Sequence, residues 1–343
     1  MRGLAILSIV FHNYIHQGRF GFAMQNESSF DIARTMDFLA GLGHGVGNTL
    51  CEIGSFLGWL GVPVFVFLSG YGLVKKYESP SSPDLAPLPY IKHSWMKLFK
   101  LMLPGILFFA IYLELRGLGG LSTQARYVLY LSLLGNLFGI DSMSPSIYWY
   151  FGLTFELYLV YLFFNKYRSN RILACGLILP LLIQGVCLFF GFDSILHYNL
   201  RNVLGWMSVF CFGMLSGRSV FLIERIQRWP IAILFIVFVL SGSLMSLCNF
   251  ASWSWLTIHY PALFFFLSLM LIIDRIPVLS YAFAGIGAFS SLVFVCHPIA
   301  RALVNDYDPG VSLSLELLCY VLVTIILVFI FSLIRNKVPI LGK

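Results

Sequence analysis

Two ionisable residues, His12 and Glu156, lie deep within long apolar runs of the sequence. As helices, these runs would place Glu156 about 12 Å from Tyr148 and His12 about 15 Å from Arg2. A neutral imidazole can take a proton from a hydroxyl nucleophile, and a carboxylate can orient the imidazole and stabilise its cation. The pair therefore predicts acyl transfer to an alcohol, although two such residues can also serve only to pack a bundle interior.

The composition indicates that these runs lie in a membrane. The hydrophobic fraction is 59% and the charged fraction is 11%, whereas soluble domains are roughly half apolar and about a quarter charged. The mean hydropathy is +0.86. Ionisable side chains at mid-bilayer are costly and usually functional. The net charge of +7 is explained by basic flanks facing anionic lipid and indicates no nucleic-acid partner.

Ten apolar segments could span a bilayer. They are 2–14, 57–74, 98–115, 148–164, 172–190, 203–215, 230–247, 255–273, 282–304 and 313–334. A further run, 127–140, could be another span, a re-entrant piece or an interfacial helix. The first segment is shorter than a full crossing, so either this helix is short or residues precede Met1.

The distribution of basic residues indicates whether 127–140 crosses the membrane. With 127–140 outside the set of spans and the N-terminus inside, most of the 22 Lys and Arg residues fall on the cytoplasmic side. We therefore predict an all-α polytopic membrane protein with about ten transmembrane helices in one bundle. Both termini are cytoplasmic, and one short re-entrant or interfacial segment lies near 127–140. Residues 1–343 form a single integral membrane domain, because no soluble domain fits between the spans.

The seven cysteines lie mostly in apolar runs and show no paired spacing. They are expected to be small core residues, so neither a metal site nor a disulfide framework is predicted.

Six stretches occur in an order that resembles a known family. They begin with a basic residue, an apolar run and an aromatic followed by His, and they include a run ending in Ser-Gly-Tyr, a basic cluster before Pro and a Trp to Glu to Tyr segment. They are 2–12, 65–71, 97–104, 149–158, 212–217 and 290–298. As an ordered set covering nearly the whole chain, they resemble the acyltransferase 3 family of integral membrane acyltransferases.

The resemblance implies transfer of an acyl group, most often acetyl from acetyl-coenzyme A, to a hydroxyl of a sugar, polysaccharide or other cell-envelope acceptor. It implies a glycan or lipid-linked acceptor, a bacterial cytoplasmic membrane and no tightly bound cofactor. His12 corresponds to the catalytic base and Glu156 to the carboxylate of the Trp to Glu to Tyr segment. Arg2 corresponds to a residue that holds the anionic donor. Lys97 and Lys100 could meet the phosphates of coenzyme A.

The sequence departs from the family pattern in two places. Nine residues separate Arg2 from His12 where the family usually has ten, and one residue rotates a side chain by about 100°. A bulge in the helix, or a long Arg side chain reaching round it, could compensate. Lys97 and Lys100 replace the more usual arginines, which removes bidentate phosphate contact. An alternative interpretation of these departures is a divergent family member that has lost activity.

Five further residues could line the site. They are Ser69, Tyr71, Trp149, Tyr158 and His297. Ser and Gly are common at close helix contacts in membranes, so the Ser-Gly-Tyr run can also be a packing motif. His297 can equally be a polar helix end.

A different class of function also fits the deep ionisable pair. A transporter or flippase for an envelope glycan precursor could use His12 and Glu156 as a proton relay. Transporters of inverted repeats show two halves with matching broken helices. No such internal similarity is found, which favours the enzyme.

Overall fold

The computed structural model describes residues 1–17, 20–23, 29–78, 85–118, 120–138, 146–306 and 312–337. Within these ranges the regular structure is helical and no strand occurs, which confirms the all-α prediction. Helices satisfy backbone hydrogen bonds within one segment, as an apolar environment requires. The helices are α1 (Arg2–Ile15), α2 (Ile32–Gly41), α3 (Val46–Leu57), α4 (Gly61–Tyr77), α5 (Pro87–Leu115), α6 (Leu121–Leu131), α7 (Trp149–Tyr167), α8 (Asn170–Phe189), α9 (Asp193–Asn199), α10 (Val203–Arg218), α11 (Val220–Gln227), α12 (Ile231–Leu247), α13 (Ser252–Trp255), α14 (His259–Ile273), α15 (Pro277–Ala288), α16 (Ser290–Asp306) and α17 (Leu313–Lys337).

Short polar residues begin several of these helices. The side chain of Asp31 accepts a hydrogen bond from the Ala33 amide at the start of α2. The side chain of Asn202 does the same for the Leu204 amide at the start of α10. Such caps satisfy amides that have no partner within the helix.

The chain divides into two compact units, each built from two segments. The first unit is Met1–Pro87 with Leu157–Gly287, and the second is Leu88–Glu156 with Ala288–Lys343. One boundary falls within α7 and another within α15. The single membrane domain over 1–343 stays a prediction.

The core of the first unit forms where α4 crosses α10. A Cβ atom at Gly70 would overlap the carbonyl oxygen of Phe210, and one at Gly213 would overlap that of Phe67. Glycine therefore lets the two backbones touch, as small residues do between membrane helices. This contact explains the Gly of the Ser-Gly-Tyr run as a packing residue.

A buried ion pair joins three helix ends of the first unit. Arg218 Nε lies 2.7 Å from Glu78 Oε2, with side chains 14% and 6% exposed. Arg218 Nη1 also donates to Asn170 Oδ1 at 2.9 Å. The pair fixes the ends of α4 and α10 against the start of α8.

The second unit is held around the start of α7. Tyr148 donates its hydroxyl hydrogen to the carbonyl of Val295 on α16 at 2.9 Å. Asn136 Nδ2 donates to the carbonyl of Trp149 at 2.8 Å. α16 also packs along α17. Tyr148 is fully buried, so this hydrogen bond satisfies a hydroxyl group that water cannot reach.

Among the residues that the structure describes, five helical segments are long and apolar enough to cross a membrane, or six if α15 and α16 are one broken span. The five are Val46–Tyr77, Pro87–Leu115, Asn170–Phe189, Ile231–Phe250 and Leu313–Arg335. On α17, Ile325 and Phe329 are 59% and 64% exposed. Large apolar side chains left uncovered in this way indicate contact with lipid rather than water.

The prediction of about ten spans and of cytoplasmic termini stays a prediction. α1, α10 and α14 contain 14, 16 and 15 residues, shorter than the roughly 20 residues of a full crossing. α6 contains 11 residues, or about 17 Å of helix, too short to cross alone. Residues 139 and 140 of the ambiguous run lie outside the described residues.

The structure differs from the sequence prediction at two places. The predicted span 282–304 is two helices, α15 and α16, that break at Phe289. Gly285 and Gly287 lie just before the break, and glycine is a poorer helix former than the surrounding apolar residues. The predicted span 57–74 begins earlier in the structure, because α3 continues through the 3₁₀ turn Gly58–Leu60 into α4. A further helix, α2, precedes α3.

Candidate active site

His12 lies on the buried face of α1, against α3. Its side chain is 6% exposed, and its Nδ1 lies 3.3 Å from the carbonyl oxygen of Gly54. A carbonyl can only accept a hydrogen bond, so Nδ1 must carry the proton in this contact. In the neutral imidazole the lone pair then resides on Nε2, which is the atom able to act as a base.

Gly58 makes this approach of α1 to α3 possible. A Cβ atom at Gly58 would lie 2.6 Å from the Cβ of His12 and 2.9 Å from the carbonyl oxygen of Ser8. Real side chains essentially never approach so closely. Ser8 also donates its hydroxyl hydrogen to the carbonyl of Gly58 at 2.9 Å. The backbone around Gly58 therefore sets the position of the His12 ring.

His16 is a second histidine that sequence reasoning did not select. Its ring centroid lies 4.4 Å from that of His12, with the planes inclined by 36°. Its Nδ1 lies 3.3 Å from the carbonyl oxygen of Ser55, the residue after Gly54. Residues four apart share one face of a helix, and this spacing in the sequence was the signal that could have identified it.

Arg2 is the exposed first residue of α1. Because α1 is an uninterrupted α-helix from Arg2 to Ile15, no bulge compensates for the short spacing to His12. Ten steps of about 100° leave the two side chains about 80° apart round the helix, compared with about 20° for the usual eleven steps. Tyr158 lies on α7 and, like Arg2, belongs to the first unit.

Glu156 lies in α7 and is 5% exposed. It is the last residue of one segment of the second unit, whereas His12 belongs to the first unit. The prediction that the two residues form a pair therefore stays a prediction. The burial of Glu156 removes its carboxylate from bulk solvent. In the protein interior a charge interacts more strongly with its neighbours than it does in water.

Lys97 and Lys100 lie three residues apart on α5 and so share one side of this helix. Lys97 is exposed and Lys100 is half-buried, while Leu98 between them is buried. Both ammonium groups are carried on long, flexible side chains. The arrangement leaves Lys97 accessible to an anionic ligand.

Ser69 and Tyr71 have partners within their own helix. Ser69 donates its hydroxyl hydrogen to the carbonyl of Phe65 at 2.8 Å. The Tyr71 ring lies parallel to that of Phe67, 6.5 Å away, and under the ammonium group of Lys75 at 5.5 Å. These contacts fit a packing role.

Trp149 and His297 are both buried in the second unit. Trp149 is 7% exposed and its carbonyl accepts from Asn136, as described above. His297 is fully buried, and its Nδ1 donates to the carbonyl of Val293 one helical turn earlier at 3.0 Å. The same tautomer argument places the lone pair of His297 on Nε2.

The described residues contain no group of three or more His, Cys, Asp or Glu side chains that could hold a metal ion. Around His12, the ring is hydrogen-bonded to the backbone carbonyl of Gly54.

Comparison with known proteins extends over nearly the entire sequence. A family model described as an acyltransferase domain matches residues 1–333. This match includes every candidate residue named above and confirms the resemblance drawn from the six ordered stretches. No curated protein and no solved structure matches the chain.

Proposed function

The chain belongs to the acyltransferase 3 family, and from this membership we propose that it transfers acetyl from acetyl-coenzyme A to a hydroxyl of a sugar, polysaccharide or other cell-envelope acceptor. The family points to acyltransferase activity, and the apolar helices point to an integral membrane protein. The observation that supports transfer to oxygen is the hydrogen bond from His12 Nδ1 to Gly54. It leaves a basic Nε2, which transfer to a hydroxyl requires.

The proposed reaction is a single displacement assisted by His12. The acceptor hydroxyl gives its proton to His12 Nε2 as its oxygen attacks the thioester carbonyl carbon. The carbon–sulfur bond breaks, and the coenzyme A thiolate takes the proton from the imidazolium. An ester and free thiol result, and the imidazole returns to its neutral form. General-base assistance of this kind contributes roughly 10²- to 10⁴-fold to a rate.

The hydrogen bond that His12 Nδ1 donates to the Gly54 carbonyl of α3 gives the imidazole a fixed direction. A base that is already oriented avoids part of the entropic cost of reaching the reactive geometry. In this proposal the buried carboxylate of Glu156 stabilises the imidazolium that forms during the reaction, and the tilted ring of His16 packs against the His12 ring and supports it.

The donor is proposed to bind from the cytoplasm of a bacterial inner membrane. Arg2, which is exposed, would contact the anionic coenzyme A. Lys97 and Lys100 would contribute positive charge for its phosphates. The acceptor would be a glycan or a lipid-linked glycan, and no tightly bound cofactor is required.

The experiment that tests this function follows radiolabelled acetyl-coenzyme A in membranes that contain the protein. Label should enter the glycan or lipid fraction with the wild type and fall to background with His12→Ala. His197→Ala is the matched control, because His197 is exposed on α9. Transfer that persists in His12→Ala would refute the assignment of the base. Transfer lost equally in both variants would show that the loss does not report on His12.

A further inference from the structure

A cleft of about 520 Å³ opens in the first unit beside α2 and α3. Its lining includes Phe22, Arg34, Asp37, His44 and Glu52. The volume lies within the roughly 300 to 1,000 Å³ of small-molecule sites. None of these residues was selected from the sequence, and none takes part in the reaction proposed above.

Glu52 is built into the wall of this cleft. Its side chain is 6% exposed, and its Oε2 accepts a hydrogen bond from the Ala23 amide at 3.0 Å. A Cβ atom at Gly41 would overlap the Glu52 carboxylate, so a glycine of α2 makes room for it. A buried carboxylate is costly unless it is hydrogen-bonded. This carboxylate is therefore held in place at the cleft with one oxygen bound to the backbone.

A second polar side chain of α3 is buried on the same side of the helix as Glu52. Ser55 lies three residues after Glu52 and is fully buried. Its hydroxyl has no hydrogen-bond partner among the described residues. Buried hydroxyls are nearly always paired, so Ser55 is an exception next to the cleft-lining Glu52 along α3, although Ser55 itself does not line the cleft.

The chemistry of the lining fits a compound with many hydroxyl groups. Asp37 and Glu52 accept hydrogen bonds, Arg34 donates them, and Phe22 offers an apolar ring. His44 Nδ1 lies 3.1 Å from the carbonyl of Gly41, which leaves its Nε2 as an acceptor. The lining carries two carboxylates and one guanidinium, so its net charge is negative. An anionic ligand would be repelled, and a neutral one would not.

The cleft and the proposed base share one helix. α3 carries Glu52 and, within one turn of it, the carbonyls of Gly54 and Ser55 that hold His12 and His16. A helical turn advances about 5.4 Å. The cleft also belongs to the chain segment that the loop charges predict to be external, where an envelope acceptor would arrive.

We propose that this cleft binds the acceptor and that the acceptor is a neutral oligosaccharide. The identification of the ligand as the acceptor rests on the proposed function, whereas binding itself needs neither acetyl-coenzyme A nor a working base. The two can therefore be tested separately.

The test measures saturation-transfer difference NMR with purified protein in lipid nanodiscs and three probes, maltotriose, chitotriose and trigalacturonic acid. Maltotriose or chitotriose should bind, and trigalacturonic acid should not. Asp37→Asn and Glu52→Gln should weaken binding about tenfold or more, as loss of a hydrogen bond to a charged group does. Asp37 is exposed, so Asp37→Asn should fold normally and tests binding at the cleft even if Glu52→Gln does not fold.

Two controls separate the cleft from the reaction. Glu114→Gln removes an exposed carboxylate of α5 and should leave binding unchanged. His12→Ala should bind the neutral probe like the wild type although it transfers no acetyl. Binding of trigalacturonic acid alone, binding of no probe, or full binding by Asp37→Asn would overturn the proposal. Acetyl transfer by His12→Ala tests the proposed function alone, and its result does not depend on whether the cleft binds the probes.

Discussion

The ring of His12 on α1 lies 4.4 Å from the ring of His16, the residue that follows α1, and successive carbonyls of α3 accept a hydrogen bond from each ring. Both rings therefore carry their proton on Nδ1 and present Nε2 as the acceptor. The relationship depends on the close contact at Gly58, since only a residue without a Cβ lets α3 approach α1 there. The orientation of the proposed base is thus a property of helix packing.

Replacing His16 should slow the reaction without weakening substrate binding. His16→Ala removes the ring that stacks on His12, and a base that is less well oriented lowers kcat about 10- to 100-fold. The apparent KM for acetyl-coenzyme A should stay the same. His16→Phe keeps a stacking ring and should recover part of kcat, which an effect on folding alone would not produce. A kcat for His16→Ala equal to that of the wild type would contradict the positioning role.

Gly58→Ala should destabilise the protein and impair His12 together. The added methyl group would meet the Cβ of His12 at 2.6 Å, and overpacking of this kind costs about 1 to 3 kcal/mol. Thermal unfolding in detergent should therefore begin at a lower temperature, with reduced acetyl transfer. Gly72→Ala is the control, because a Cβ there meets nothing within 4 Å. An equal change in both variants would argue against a specific contact at Gly58.

Apolar runs and charge sufficed to predict an all-helical membrane protein, and ordered motifs sufficed to predict its family. The sequence also predicted that His12 is buried, because an apolar run surrounds it. The partners of His12 could not be predicted in this way. Gly54 and Ser55 contribute backbone carbonyls, which leave no trace in residue type, and they lie on a helix that the search for long apolar runs did not identify. Glu52 was missed for the same reason, since a single carboxylate near a span end looks like a solvated flank.

Lys97 and Lys100 should affect the donor alone. Removing both ammonium groups with Lys97→Ala and Lys100→Ala takes away charge that, in the proposed function, contacts phosphate equally in the ground state and the transition state. The apparent KM for acetyl-coenzyme A should rise with little change in kcat, as loss of uniform binding requires. The effect should shrink as salt is added, because exposed charges are screened. Lys92→Ala, an exposed lysine of the same helix, should leave KM unchanged. If the double variant also leaves KM unchanged, the two lysines serve only to anchor the helix at the membrane surface.

The topology can be tested with single cysteines at two exposed positions. Val46 and Tyr167 are 81% and 52% exposed, and the positive-inside distribution places the first outside and the second inside. In a background with Cys175 and Cys319, the exposed native cysteines, replaced by serine, an impermeant maleimide added to intact cells should label Val46→Cys and not Tyr167→Cys. Both should be labelled after the membrane is opened. If 127–140 were a full span, the loop at 167 would lie outside and Tyr167→Cys would react in intact cells. That outcome would also move the later basic loops across the membrane, and the prediction of about ten helices with cytoplasmic termini would be wrong.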